Sequence, residues 1–153
     1  MTIYKISEAR QRNDINGRAG ARAYIERAST FTMCYPTAIA LNAVAGDTPI
    51  GIVPYDCEFL GGYLEVSGDE GVNGAIVIEK WVSIVGAQTS ISAAVAIDAG
   101  AASIEALAAV TDGEEVCPAG YKIVLKRTTA TGNAVTGILT LYFKTVDDIG
   151  RSG

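Results

Sequence analysis

Between residues 53 and 82 the chain carries two runs of alternating apolar residues separated by a loop. That arrangement constrains the fold more than any other feature. Leu60, Leu64 and Val66 fall on one side of a two-residue repeat, and Ile76, Ile78 and Val82 on one side of the next. A repeat of two means a strand with one buried face, and two in succession mean neighbouring strands. Residues 67–74, S-G-D-E-G-V-N-G, are too many for a tight hairpin. They read as a surface loop in which Asp69 and Glu70 are solvated. Gly61 and Gly62 interrupt the first strand, where paired glycines mark a bulge or a close backbone approach.

The same alternation returns downstream. Tyr121, Ile123 and Leu125 face one way in residues 121–127. Residues 137–146 form the cleanest strand, with Leu139, Leu141 and Phe143 inward and Thr140, Tyr142 and Lys144 outward. Residues 31–45 hold an edge strand or two short ones, because Pro36 removes a ladder donor. Gly46-Asp47-Thr48-Pro49 reads as a turn, and residues 50–53 as extended. Residues 90–97 alternate well enough for a strand. Residues 101–110, A-A-S-I-E-A-L-A-A-V, are rich in helix formers and predict one short helix, with two short strands as the competing reading. About eight extended segments between turn signals, without regular long helices, exclude a parallel α/β sheet and predict an all-β antiparallel β-sandwich. A jelly roll is one form that fits.

At 153 residues the chain is one domain with an arm. The expected division is a basic N-terminal arm at 1–30, a sandwich at 31–148 and a C-terminal tail at 149–153. Residues 1–27 hold six basic and three acidic groups, net +3; the remainder holds six basic and fourteen acidic, net −8, and the two sum to −5. A basic head on an acidic body predicts a segment that docks onto something negative. Nucleic acid is a poor partner for the acidic domain. Apolar runs fall short of the ~18 residues a membrane-spanning helix needs, and Lys5, Glu8, Arg10 and Arg12 interrupt any signal-peptide core. The reading is a soluble protein made in the cytoplasm.

The candidates for chemistry are sparse. The sequence has no histidine, which excludes Ser-His-Asp, Cys-His and His-based zinc arrangements. Cys34, Cys57 and Cys117 are far apart and odd in number, which argues against a disulfide framework or a metal cluster and for small buried hydrophobes in strands. The acid pairs Asp69/Glu70, Glu114/Glu115 and Asp147/Asp148 sit in turns and read as solvated rather than as an acid–base pair. Neither a calcium loop nor a phosphate loop is present. No cofactor is expected, and no enzyme activity. Trp81, Tyr63, Tyr121 and Tyr142 offer an aromatic platform for sugar, against the commoner role of packing.

From Pro54 onward the order of elements resembles the small β-sandwich domains of tailed-bacteriophage virion proteins, especially head decoration and fibre proteins. The matching segments are residues 54–66, residues 75–81, T-S-I-S-A-A-V-A-I-D-A-G at 89–100, Pro118-Ala119-Gly120 and G-I-L-T-L-Y-F-K at 137–144. Where the family often carries Asp after that Ala-Gly, this chain has Tyr121. Residues 1–50 lie outside the resemblance. It implies a capsid decoration (cement) protein, synthesised in the host cytoplasm and resident on the capsid surface. Its partners would be the major capsid protein of the same virus and its own copies in a homotrimer, with no nucleic acid and no membrane. Arg10, Arg12, Arg18, Arg22 and Arg27 are the candidate capsid contacts, since a guanidinium fork suits carboxylates. The alternative is a receptor- or carbohydrate-binding module of a head or tail fibre.

Overall fold

The computed structural model describes residues 29–43, 46–82 and 86–146. The expected arm, with all five of its candidate arginines, lies outside those residues except for its last two positions. The tail lies outside them as well.

Eleven strands and no helix make up the described residues. They are β1 (Thr30–Cys34), β2 (Ile39–Ala40), β3 (Asp47–Ile52), β4 (Cys57–Val66), β5 (Gly74–Trp81) and β6 (Gln88–Ser90). Then follow β7 (Val95–Ile97), β8 (Ser103–Leu107), β9 (Val116–Cys117), β10 (Lys122–Thr129) and β11 (Thr136–Thr145). In one sheet β11 lies between β4 and the broken edge β1/β2, and β4 carries β9 and β8 on its far side. In the other, β10 lies between β3 and β5, and β5 carries β6 and β7. Every pairing is antiparallel.

Counting each broken edge as one position gives eight positions in chain order. The first sheet then runs 6-3-8-1 and the second 2-7-4-5. First pairs with last, second with seventh, third with sixth and fourth with fifth. This is a hairpin rolled up on itself, the strand order of a jelly roll. The sandwich expected from the alternation is therefore present.

The core lies between the two inner faces. Leu139, Leu141 and Phe143 of β11 and Phe59 and Leu64 of β4 meet Ile76 and Ile78 of β5 and Ile123 and Leu125 of β10, all essentially inaccessible to water. Burying each such side chain stabilises the fold by about 1.5–3 kcal/mol. Phe143 anchors one end of the sheet, with Phe31 stacked on it at 5.3 Å and Phe59 tilted at 5.4 Å.

Three local expectations are corrected. Residues 103–107 form β8 instead of a helix. Their register against Gly62–Val66 closes the edge of β4, and that pairing outweighs the helix propensity of Ala, Glu and Leu. Asp47, Thr48 and Pro49 belong to β3 instead of a turn; Pro49 sits on an edge strand beside a register shift, where a missing N–H costs least. Leu60 is exposed, whereas its alternation partners Leu64 and Val66 are buried; likewise Val82, which lies past the end of β5, is exposed while Ile76 and Ile78 are buried.

Leu60 faces out because the Gly61–Gly62 step is the expected bulge. The β4–β11 register shifts there: Phe59 pairs with Phe143, but Gly61 pairs with Tyr142, and Leu60 is the extra residue. Parity changes by one, so Phe59 enters the core. Both glycines are required. Gly61 has φ +120°, and a Cβ there would sit 2.7 Å from the Leu107 carbonyl oxygen. A Cβ on Gly62 would meet the Thr140 carbonyl and stand 3.0 Å from Leu141 Cα. Gly61→Ala is expected to lower the unfolding free energy by about 1–3 kcal/mol through backbone strain. Urea titration followed by far-UV circular dichroism measures it.

Candidate interaction surface

The outward face of the first sheet is built in cross-strand rows. Ile104 of β8, Glu65 of β4 and Ile138 of β11 form one row, and Ala106, Tyr63, Thr140 and Cys34 the next. Tyr142 follows beside Gly61, and the bulge sets Leu60 on the same side. Ile104 is 69% exposed, Ile138 49%, Leu60 48% and Tyr142 39%. Tyr63 and Tyr142 lie diagonally across the β4–β11 pair with ring centroids 6.3 Å apart. Large apolar side chains exposed on one face of a sheet make it a candidate contact surface.

The outward face of the second sheet differs in kind. Trp81 Nε1 donates to Glu79 Oε1 at 2.9 Å, Lys122 Nζ stands 5.3 Å from the Trp81 ring centroid, and Lys126 Nζ lies 3.7 Å from Glu79. Glu79 itself is buried there. These polar groups satisfy one another within the face.

Of the four aromatics expected to form a platform, only Tyr63 and Tyr142 meet. Trp81 is on the opposite sheet, and Tyr121 packs against the core. Tyr142 titrates above the ordinary tyrosine range, first because of its hydrogen bond with Tyr63 and then through desolvation. The acid pairs also divide. Glu114 is exposed and pairs with Lys80 at 3.1 Å, and Glu115 accepts from the Gly113 N–H at 2.9 Å. Asp147 and Asp148 lie outside the described residues. Glu70 corrects the expectation of a solvated acid: it is only 3% exposed, and both carboxylate oxygens accept from the Gly100 N–H at 3.0 and 3.1 Å. Its backbone carbonyl receives the N–H groups of Val72 and Asn133, so this one residue ties together three loops at one end of the sandwich. The loops of Asp69 and Asn133 meet there, Asn133 Nδ2 donating to the Asp69 carbonyl at 3.0 Å.

At the other end a pocket of about 360 Å³ is lined by Lys80, Glu114, Val116, Pro118 and Tyr121 among others. Lys80 Nζ there donates to the Val116 carbonyl at 2.7 Å. Among the described residues no three metal-ligating side chains converge. Cys57 and Cys117 are buried in strands, as expected for small hydrophobes, but Cys34 is exposed at the edge of the first sheet, its thiol 4.0 Å from Thr140 Oγ1.

No family model matches the sequence, and no curated protein matches it. Among solved structures, a chain from the structure of infectious bursal disease virus, Gx strain, is similar over 78% of this chain and 32% of its own, with 14% identity and a TM-score of 0.46. The present chain thus spans about a third of that one. The likeness is to a viral structure, not to a tailed phage in particular.

Two outcomes follow from this geometry. Tyr63→Phe is expected to lower the titration midpoint of Tyr142 toward the ordinary tyrosine value, read from phenolate absorbance on raising the pH. The fold favours the neutral phenol, so its contribution to stability is present below the ordinary range and is lost as pH rises through the raised value. Glu70→Ala is expected to cost about 1–3 kcal/mol by leaving the Gly100 N–H without its partner, measured by thermal unfolding.

Proposed function

We propose that the protein is a structural component of a virus particle, and more specifically a capsid decoration protein of a tailed bacteriophage. Jelly rolls serve capsid and lectin domains alike, so the fold does not choose between them and the site has to. The observation that carries the reading is the outward face of β8, β4, β11 and β1, where Ile104, Ile138, Tyr142 and Leu60 are all exposed, interspersed with Glu65, Tyr63 and Thr140. That face suits adhesion to a protein surface.

In this reading the sandwiches pack around a threefold axis as a homotrimer on the outside of the head. The N-terminal segment, through Arg10, Arg12, Arg18, Arg22 and Arg27, reaches carboxylates on the major capsid protein. Each copy binds the assembled shell and not its loose subunits, so it stabilises the shell by mass action. Several arms on one trimer raise the effective affinity without any new contact. The half-buried Tyr63 beside the exposed Tyr142 on the same face favours a second reading, a glycan-binding module of a fibre.

Titration of the purified protein against undecorated capsids and against a glycan array separates the two. Saturable capsid binding, lost on deleting residues 1–30, is the expected result. Ile104→Asp with Ile138→Asp is expected to weaken that binding by about tenfold or more. The same changes flank Glu65 with carboxylates and remove two β-branched residues, so they are also expected to lower the unfolding free energy by about 1–3 kcal/mol. Binding is therefore compared at a temperature where circular dichroism shows both proteins folded. Glycan binding with the arm dispensable, and no affinity for capsids, would sink the decoration role.

A further inference from the structure

The short strand β9 brings together two cysteines that are sixty positions apart. Its register places Cys117 directly across from Cys57 at the start of β4. Residues facing each other across an antiparallel pair have Cα atoms about 4.5–5.5 Å apart, inside the roughly 4.4–6.8 Å that a disulfide spans. Both side chains are wholly buried. Cys57 Sγ lies 3.6 Å from the Cys117 carbonyl oxygen, so it already leans toward its partner.

The surroundings make the two thiols unequal. The Cys117 thiol donates to the Glu115 carbonyl at 3.6 Å. Interaction with the neighbouring Cys117 pushes Cys57 well above the ordinary thiol range, and burial adds to this. The same interaction lowers Cys117, against burial and the Glu115 carboxylate and with help from the Lys80 ammonium. Lys80 is fixed in place by the Val116 carbonyl and by Glu114. Val116 and Pro118, the neighbours of Cys117 in the chain, both line the 360 Å³ pocket. A reagent in that pocket is therefore separated from the sulfur only by a two-residue edge strand, whose local opening costs less than global unfolding.

We propose that Cys57 and Cys117 are a disulfide-forming pair, closed by a small-molecule disulfide such as oxidised glutathione, and that the cross-link fastens β9 to β4. The Cys117 thiolate attacks one sulfur of the reagent, giving a mixed disulfide and releasing one glutathione thiolate. Cys57 gives up its proton and attacks the Cys117 sulfur, forming the S–S bond and releasing the second. The protein loses two electrons and two protons, and one oxidised glutathione becomes two reduced. Closing so long a loop restricts the unfolded chain and raises stability. None of this depends on a role in a virus particle.

The full-length protein, equilibrated with oxidised or with reduced glutathione, is denatured, alkylated and weighed intact, then digested. With the oxidised reagent, a linked Cys57–Cys117 peptide is expected, with the exposed Cys34 either alkylated or carrying glutathione. The thermal midpoint without reductant should rise by about 5 °C or more. Cys34→Ser changes an exposed residue, and it should keep both the linked peptide and the rise. Cys117→Ala should lose both. If Cys117→Ala does not fold, the linked peptide and the rise in the Cys34→Ser protein decide the matter. Three alkylated cysteines after a cycle of unfolding and refolding in the oxidised buffer, or glutathione on Cys34 with Cys57 and Cys117 both alkylated, would overturn the pairing. A linked peptide with an unchanged midpoint would overturn the fastening.

Discussion

The pairing of β4 with β11 is the contact on which the rest depends. These ten-residue strands lie side by side in the middle of the first sheet. One is third in the rolled hairpin and the other last, so their ladder joins strands about eighty residues apart and closes a long loop. It supplies Phe59, Leu64, Leu139, Leu141 and Phe143 to the core. It also sets the outward rows through Tyr63, Ile138 and Tyr142. A slip of one residue would exchange those two sets, placing tyrosines in the core and phenylalanine in water. The Gly61–Gly62 bulge holds the register against such a slip, because the backbones of Thr140 and Leu107 occupy the space that side chains there would need.

Features whose cause lies within one strand were legible in the sequence. The alternation of Leu139, Leu141 and Phe143 is buried as expected, since a strand's two faces follow from its own residues. The break at Pro36 divides β1 from β2 as expected, because a proline withdraws a donor wherever it sits. The paired glycines announced a bulge. What alternation alone could not supply was its consequence, the change of parity that turns Leu60 outward and Phe59 inward.

Features whose cause lies in a distant residue were hidden. β8 has the composition of a helix and becomes a strand because β4 has an unpaired edge. Glu70 looked like an acid in water; it is buried because Gly100, thirty positions later, brings an N–H to it. Cys57 and Cys117 looked unrelated because sequence spacing is a poor guide to proximity in a fold that pairs its third position with its sixth. The exposed face was legible in part: Tyr142 was expected outward, but Ile104 was assigned to a helix and Leu60 to the core. The surface emerges only when four strands are set in register.

The sheet edges bear on how the protein would associate in the role proposed above. An unpaired edge normally invites another strand, yet each edge here is blunted. β1 and β2 are split at Pro36, and β3 carries Pro49 beside a register shift. β6 and β7 are three residues each, and the edge formed by β8 and β9 is broken between Leu107 and Val116. Of the two faces left, the second sheet's spends its polar groups on one another through Glu79, Trp81, Lys122 and Lys126. The first sheet's keeps its largest apolar side chains in water at a standing cost of about 25 cal/mol for each Å² that a partner would cover. In the role proposed above, a partner docking there would recover that free energy without disturbing a ladder hydrogen bond, whereas on the second sheet's outward side the exposed aliphatic Ile52 stands at the edge, across from Lys122.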